Sequence, residues 1–100
     1  MDGGVVDECL EALAHEQRRE LLRAVRDTDD VVLSEFVRDQ DREAQSVETE
    51  LVHRHIPKLT DLGLITYDDT ETIMEGERFD DVRPLLDTID QILGSNESVF

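Results

Sequence analysis

A single glycine, Gly63, separates two hydrophobic periods, and that junction limits the folds open to this chain. Upstream of it, Val47, Leu51, Val52, His55, Leu59 and Leu62 share one arc at 100° per residue, as a helix with one buried face requires. Downstream, Leu64-Ile65-Thr66-Tyr67 and Glu71-Thr72-Ile73-Met74 read as two strands around an Asp68-Asp69-Thr70 turn. Ser46 fits the N-cap of that helix and Gly63 the C′ position that ends it. A helix therefore runs straight into a hairpin. Pro57, inside the helix, lacks an N–H and should bend it at that turn, most simply as a packing kink.

The rest of the chain supplies the other layers. Leu10, Leu13, Ala14, Leu21, Leu22 and Val25 predict one helix over residues 7–26, with Asp7 and Glu8 in its first turn and Arg23 and Arg26 in its last. Asp27 to Asp30 is a polar break, and Val31-Val32-Leu33 a short extended piece. A brief helix then starts near Ser34, carries Phe36 and Val37, and gives way to a charged connector from Asp39 to Gln45. Gly76 breaks the second hairpin strand. A last helix runs from Phe79 to Leu93 and closes at Gly94, leaving residues 95–100 as a loose tail on a single domain, 1–94. The order helix, strand, helix, helix, β-hairpin, helix is that of a winged helix-turn-helix domain, a mostly helical α+β fold.

Composition decides what such a domain is built from and where it can work. A net charge of −16 over 100 residues comes from 26 acids against nine Arg and one lysine, Lys58. Four aromatic residues and no Trp make the core aliphatic. The single cysteine, Cys9, excludes a disulfide framework and reads as a small buried hydrophobe. No apolar run exceeds three residues and no basic apolar leader opens the chain, so a cytoplasmic domain without a membrane span is expected. The acid has two readings. In a saline cytoplasm the Debye length falls to about 3 Å and the self-repulsion is screened. Alternatively, the surface mimics nucleic acid or captures a basic partner, but a mimic concentrates acid on one face, and here every segment carries it.

Two stretches resemble a known family. His55-Ile56-Pro57-Lys58-Leu59 running through Leu62-Gly63-Leu64-Ile65 to Tyr67 is similar to an uncharacterised haloarchaeal winged-helix family of the broad ArsR/MarR-like class, and Leu13-Ala14-His15-Glu16-Gln17-Arg18-Arg19-Glu20-Leu21-Leu22 resembles the matching first helix of ArsR-like regulators. The resemblance implies a haloarchaeal source and a dimeric DNA-binding regulator whose third helix enters the major groove.

Read from its own residues, the third helix turns Ser46, Thr49, Glu50, His53, Arg54 and Thr60 away from the core. Ser46, Thr49, His53 and Arg54 suit contact with base edges, and Lys58 contact with phosphate. Glu48 and Glu50 oppose them, leaving residues 46–59 neutral. The wing segment from Asp68 to Asp81 carries seven acids and one arginine, Arg78, where phosphate contact favours bases. Two functions from different classes follow: a regulator that binds double-stranded DNA, or a protein-interaction and dimerisation module that no longer does. On the last helix Val82, Leu85, Ile89 and Ile92 form one stripe and Leu86 and Leu93 a second. The extra stripe points to a homodimer through Leu10, Leu13, Leu86, Ile89 and Leu93, unless a wide face covers a shallow core. Arg18, Arg19, Arg23 and Arg26 concentrate base in the first helix, to pair with Glu16 and Glu20 or to meet DNA or a partner subunit. His53 and His55 point about 200° apart on a helix, so they cannot share a metal, and His55 reads as a hydrogen-bonded core residue. No catalytic arrangement, cofactor or metal is expected.

Overall fold

The computed structural model describes residues 3–38 and 44–98. Helices α1 (Gly3–Ala12) and α2 (Glu16–Thr28) lead into strand β1 (Asp30–Val32) and the short α3 (Leu33–Arg38). A helical run follows, made of α4 (Ala44–Glu50), a π turn (Leu51–His55) and α5 (Ile56–Asp61). Strands β2 (Ile65–Tyr67) and β3 (Thr72–Glu75) form the hairpin, and α6 (Phe79–Ser98) closes the domain. The three strands pair antiparallel in the order β1-β3-β2, with Ile73 opposite both Val31 and Tyr67.

The first helix predicted over residues 7–26 is two helices. His15 is extended, at φ −111° and ψ 135°, and α1 has already ended with Leu13 N–H donating to the Cys9 carbonyl. Two arginines of α2 hold the break by reaching back to carbonyls at the end of α1. Arg18 Nη1 donates to Glu11 O at 2.9 Å, and Arg19 Nη1 to Leu13 O at 2.7 Å. Arg23 and Arg26 leave the same helix for α6, both pairing with Asp90 and Arg26 also with Asp87, while Arg26 keeps a pair with Asp27 on its own helix.

At Gly63 the sequence reading holds in detail. Gly63 has φ +77°; its N–H donates to Thr60 O and Leu64 N–H to Leu59 O, the paired bonds of a Schellman stop. Leu59 and Leu64, the apolar pair that accompanies this motif, are both buried. Gly76 meets the same corner, where a Cβ would stand 2.4 Å from the Gly63 carbonyl oxygen. The wing tip is equally local. Asp68 Oδ1 accepts from the Thr70 N–H and hydroxyl and from the Thr72 N–H, while Glu71 takes a left-handed φ of 61°.

Two boundaries move. Helix α4 is already under way at Ala44, so Ser46 lies in its first turn rather than capping it, and residues 39–43 of the expected connector lie outside the described residues. Helix α6 continues past Gly94 to Ser98, and residues 99–100 of the expected tail lie outside the described residues. The core is aliphatic around Leu21, Leu22, Val25, Leu51, Leu59 and Leu86, with Phe79 and Phe36 its aromatic contributions.

Candidate nucleic-acid interface

The surface on which the sequence places its expected DNA contacts is built by the α4–π–α5 run, which leads into the β2–β3 hairpin. Buried positions along the run are Val47, Leu51, His55, Ile56 and Leu59. The step of five from Leu51 to Ile56 is the mark of the π turn, in which Ile56 N–H donates to Leu51 O. Its cause is the next residue. Pro57 has no N–H to give and its ring presses on the turn before it, so the helix widens there and resumes as α5. The predicted bend is taken up as this wider turn.

The structure brings four of the five expected DNA contacts together. Ser46, Thr49, His53 and Arg54 are exposed on one face, beside Glu48 and Glu50, and the Thr49 hydroxyl donates back to Gln45 O at 2.9 Å. Gln45, Glu48, Thr49, Val52 and His53 line a shallow indentation on that face. Lys58 lies apart: its Nζ meets Glu11 Oε1 of α1 at 2.8 Å, and this lysine holds the Glu11 carboxyl below its usual pKa. Arg54 stays on the face, 3.6 Å from Glu50 Oε2. Thr60 is half-buried, its hydroxyl turned to Ile56 O and Pro57 O.

The wing keeps its acid outward. Asp68, Asp69 and Glu71 are exposed at its tip, and the hydrogen bonds from Thr70 and Thr72 hold the Asp68 carboxyl below its ordinary pKa. Arg78 points inward, to Glu8 of α1 at 2.8 Å and to the Leu62 carbonyl. Glu75 pairs with Arg83 at 2.9 Å.

His55 is the core histidine that the helical arc predicts, 4% exposed. Its partner is a residue the sequence reading missed. Arg18, 6% exposed, donates from Nε to His55 Nδ1 at 3.1 Å and so ties α1, α2 and the π turn together. Burial first, then the Arg18 charge, lowers the His55 pKa to about 4, which leaves the ring neutral at pH 7. A signal was present: Arg18, Leu21, Leu22 and Val25 are spaced i, i+3, i+4, i+7, which puts an arginine on the apolar stripe of α2.

Of the residues expected at a dimer interface, Leu13 and Leu86 are 3% and 0% exposed, enclosed in the chain's own core with no surface for a partner. Ile89 is partly buried against that core. Leu10 and Leu93 remain open at 51% and 41%, joined by Ile92. Among the described residues no three His, Cys, Asp or Glu side chains gather to hold a metal ion, and no helix is long and apolar enough to cross a membrane.

Two helices before a short strand, a helix-turn-helix pair whose second member runs into a wing, and a closing helix define a winged helix-turn-helix domain. The chain belongs to the family described as a domain of unknown function, DUF7344, which matches residues 10–75, from the end of α1 through the wing. Among solved structures it is similar to the crystal structure of an ArsR family transcriptional regulator, at 22% identity and a TM-score of 0.56, over 95% of this chain and 96% of that one. No curated protein matches the chain.

Proposed function

We propose that this chain is a DNA-binding transcriptional regulator of the ArsR-like winged-helix kind, working as a homodimer in the high-salt cytoplasm of a haloarchaeon. The observation that carries the reading is the exposed set Ser46, Thr49, His53 and Arg54 on the one helical run that leads into the wing. Side chains of these types read base edges when such a run lies in the major groove. The fold likeness to an ArsR family regulator supports it, as does the acid-rich, lysine-poor composition. No enzymatic activity is part of this reading. The second protomer would sit on α1 and α6, where Leu10, Ile92 and Leu93 are exposed.

A second reading has a specific observation behind it. Lys58 and Arg54 both face glutamates of the same chain, and Arg78 turns away from the wing surface. Those pairings favour an interaction and dimerisation module with no role on DNA. Fluorescence anisotropy against native genomic fragments in molar KCl, with oligomeric state followed in parallel, separates the two. Saturable, sequence-selective binding by a dimer supports the regulator. A folded dimer that binds nothing at any salt supports the module, and a monomer at every concentration sinks the homodimer in both. Leu93→Glu should convert dimer to monomer without unfolding the chain.

A further inference from the structure

Between the first turn of α2 and the π turn lies a shallow polar groove lined by His15, Glu16, Gln17, Glu50, Arg54 and His55. Its floor is set by one hydrogen bond. Because His55 Nδ1 accepts from Arg18, the proton of the neutral ring sits on Nε2, and no protein group among the described residues accepts it. Behind the ring, Arg18 is a buried cation bonded to an imidazole and a backbone carbonyl, with no described carboxylate at ion-pair distance. At one side Arg54 is held to Glu50 only loosely, at 3.6 Å. The His15 ring flanks that of His55, with centroids 5.5 Å apart. A protonated Nε2 cannot ligate a metal, so the groove calls for an acceptor that also answers two arginine charges.

We propose that this groove binds a phosphate-type oxyanion through His55 Nε2–H and the Arg54 guanidinium, with Arg18 supplying charge from behind. Both contact residues belong to the π turn, so an anion that engages them draws Arg54 off the face assigned to DNA and lowers affinity for DNA. That regulatory consequence rests on the proposed function; the site itself does not. Glu16 and Glu50 on the rim oppose an anion and keep binding weak.

The test is NMR of the intact chain at pH 7, following the His55 Nε2–H and Arg54 Nε–H signals as inorganic phosphate replaces chloride at constant ionic strength. The expected result is a saturable shift at both, half-complete at about 1–10 mM. Arg54→Gln should weaken it about tenfold, the loss of one charge-assisted hydrogen bond. Arg83→Gln, which alters a cation of α6 that does not line the groove, should leave it unchanged. A shift that never saturates, or that survives intact in Arg54→Gln, overturns the site. A duplex DNA titration read at His55 Nε2–H, which is not among the proposed DNA contacts, distinguishes the source of the ligand: a shift with inorganic phosphate assigns the groove to a free anion, and a shift with duplex alone assigns it to a backbone phosphate. Phosphate binding by a chain with no affinity for DNA leaves the site standing and sinks only its regulatory role.

Discussion

The two ends of α2 hold their neighbours by different physics. Near its N-terminus, Arg18 is buried and bonded to a neutral imidazole and a carbonyl, so the joint to α1 and the π turn contains no ion pair. Near its C-terminus, Arg23 and Arg26 meet Asp90 and Asp87 of α6, and Arg26 also its neighbour Asp27 on α2, in partly exposed ion pairs. The first joint is insulated from salt but sensitive to losing Arg18, because the His55 Nδ1 left behind is buried and unmet. The second is screened by salt and shares its load among several carboxylates. For a chain of net charge −16, the lesson is where charge is trusted. The contact that orients the proposed reading helix is the one that salt cannot weaken.

The largest expected effect comes from breaking the insulated joint. Arg18→Ala strands the buried His55 Nδ1, removes one of the two hydrogen bonds to the Glu11 carbonyl and opens space beneath the π turn. It should cost about 3 kcal/mol of unfolding free energy, by the same amount in dilute and in molar KCl. Denaturant unfolding at two salt concentrations checks this; a cost that halves in molar salt would show the joint to be electrostatic after all.

Next in size is a pH effect confined to the same end. The folded His55 titrates near 4, below the value of about 6.5 for an unfolded histidine. Below pH 6.5 the unfolded chain therefore binds a proton that the folded chain refuses, and stability falls as pH drops from 6.5 towards 4. The steepest slope is about 1.4 kcal/mol per pH unit. His15, whose pKa is also lowered, chiefly by the Arg18 charge, acts in the same direction. His55→Gln keeps an acceptor for Arg18 and removes the main titration, so its slope should be clearly shallower. The α6 end answers in a different window. Burial alone would raise the Asp90 pKa, but the hydrogen bonds from Arg23 and Arg26 outweigh it and hold the carboxyl below the usual value. Its contribution is complete above the unfolded carboxylate pKa, near 4, and is lost only as pH falls through the lower folded value.

What the sequence revealed follows the same division between near and far. The Gly63 stop, the hairpin and the polar face of the third helix were legible because each is decided within a few residues: a glycine at positive φ, an Asx turn at Asp68, a run of exposed polar side chains. The break at Leu13–His15 was not, because it is held by Arg18 and Arg19 after the chain has turned back on itself. Its trace was a stripe with no apolar residue between Ala14 and Leu21. Lys58 was assigned to phosphate because helical phase alone does not show Glu11 of α1 coming within 2.8 Å. Leu13 and Leu86 were placed at an interface because a stripe count cannot tell how deep a small core is.

A smaller loss tests the exposed clamp. Arg26→Ala removes pairs with Asp27, Asp87 and Asp90 while Arg23 still holds Asp90. The expected cost is about 1 kcal/mol in dilute buffer, shrinking towards zero in molar KCl. Thermal unfolding across a salt series reads it directly, and a cost that grows with salt would contradict the contrast between the two ends.

The smallest effect on stability should be the largest on the proposed function. Arg54 is exposed, and its nearest carboxylate, Glu50, stands 3.6 Å away at a partly screened surface, so Arg54→Ala should change unfolding free energy by less than about 0.5 kcal/mol. If it reads DNA with Ser46, Thr49 and His53, its removal should weaken a selected duplex by about 1–3 kcal/mol. Arg18→Ala offers the matching control, since it lowers binding only as far as it unfolds or tilts the helix, and low temperature should recover the first part. Equal DNA affinity in wild type and Arg54→Ala, with both fully folded, removes Arg54 from the reading face and strengthens the interaction module, in which that arginine meets a protein partner instead.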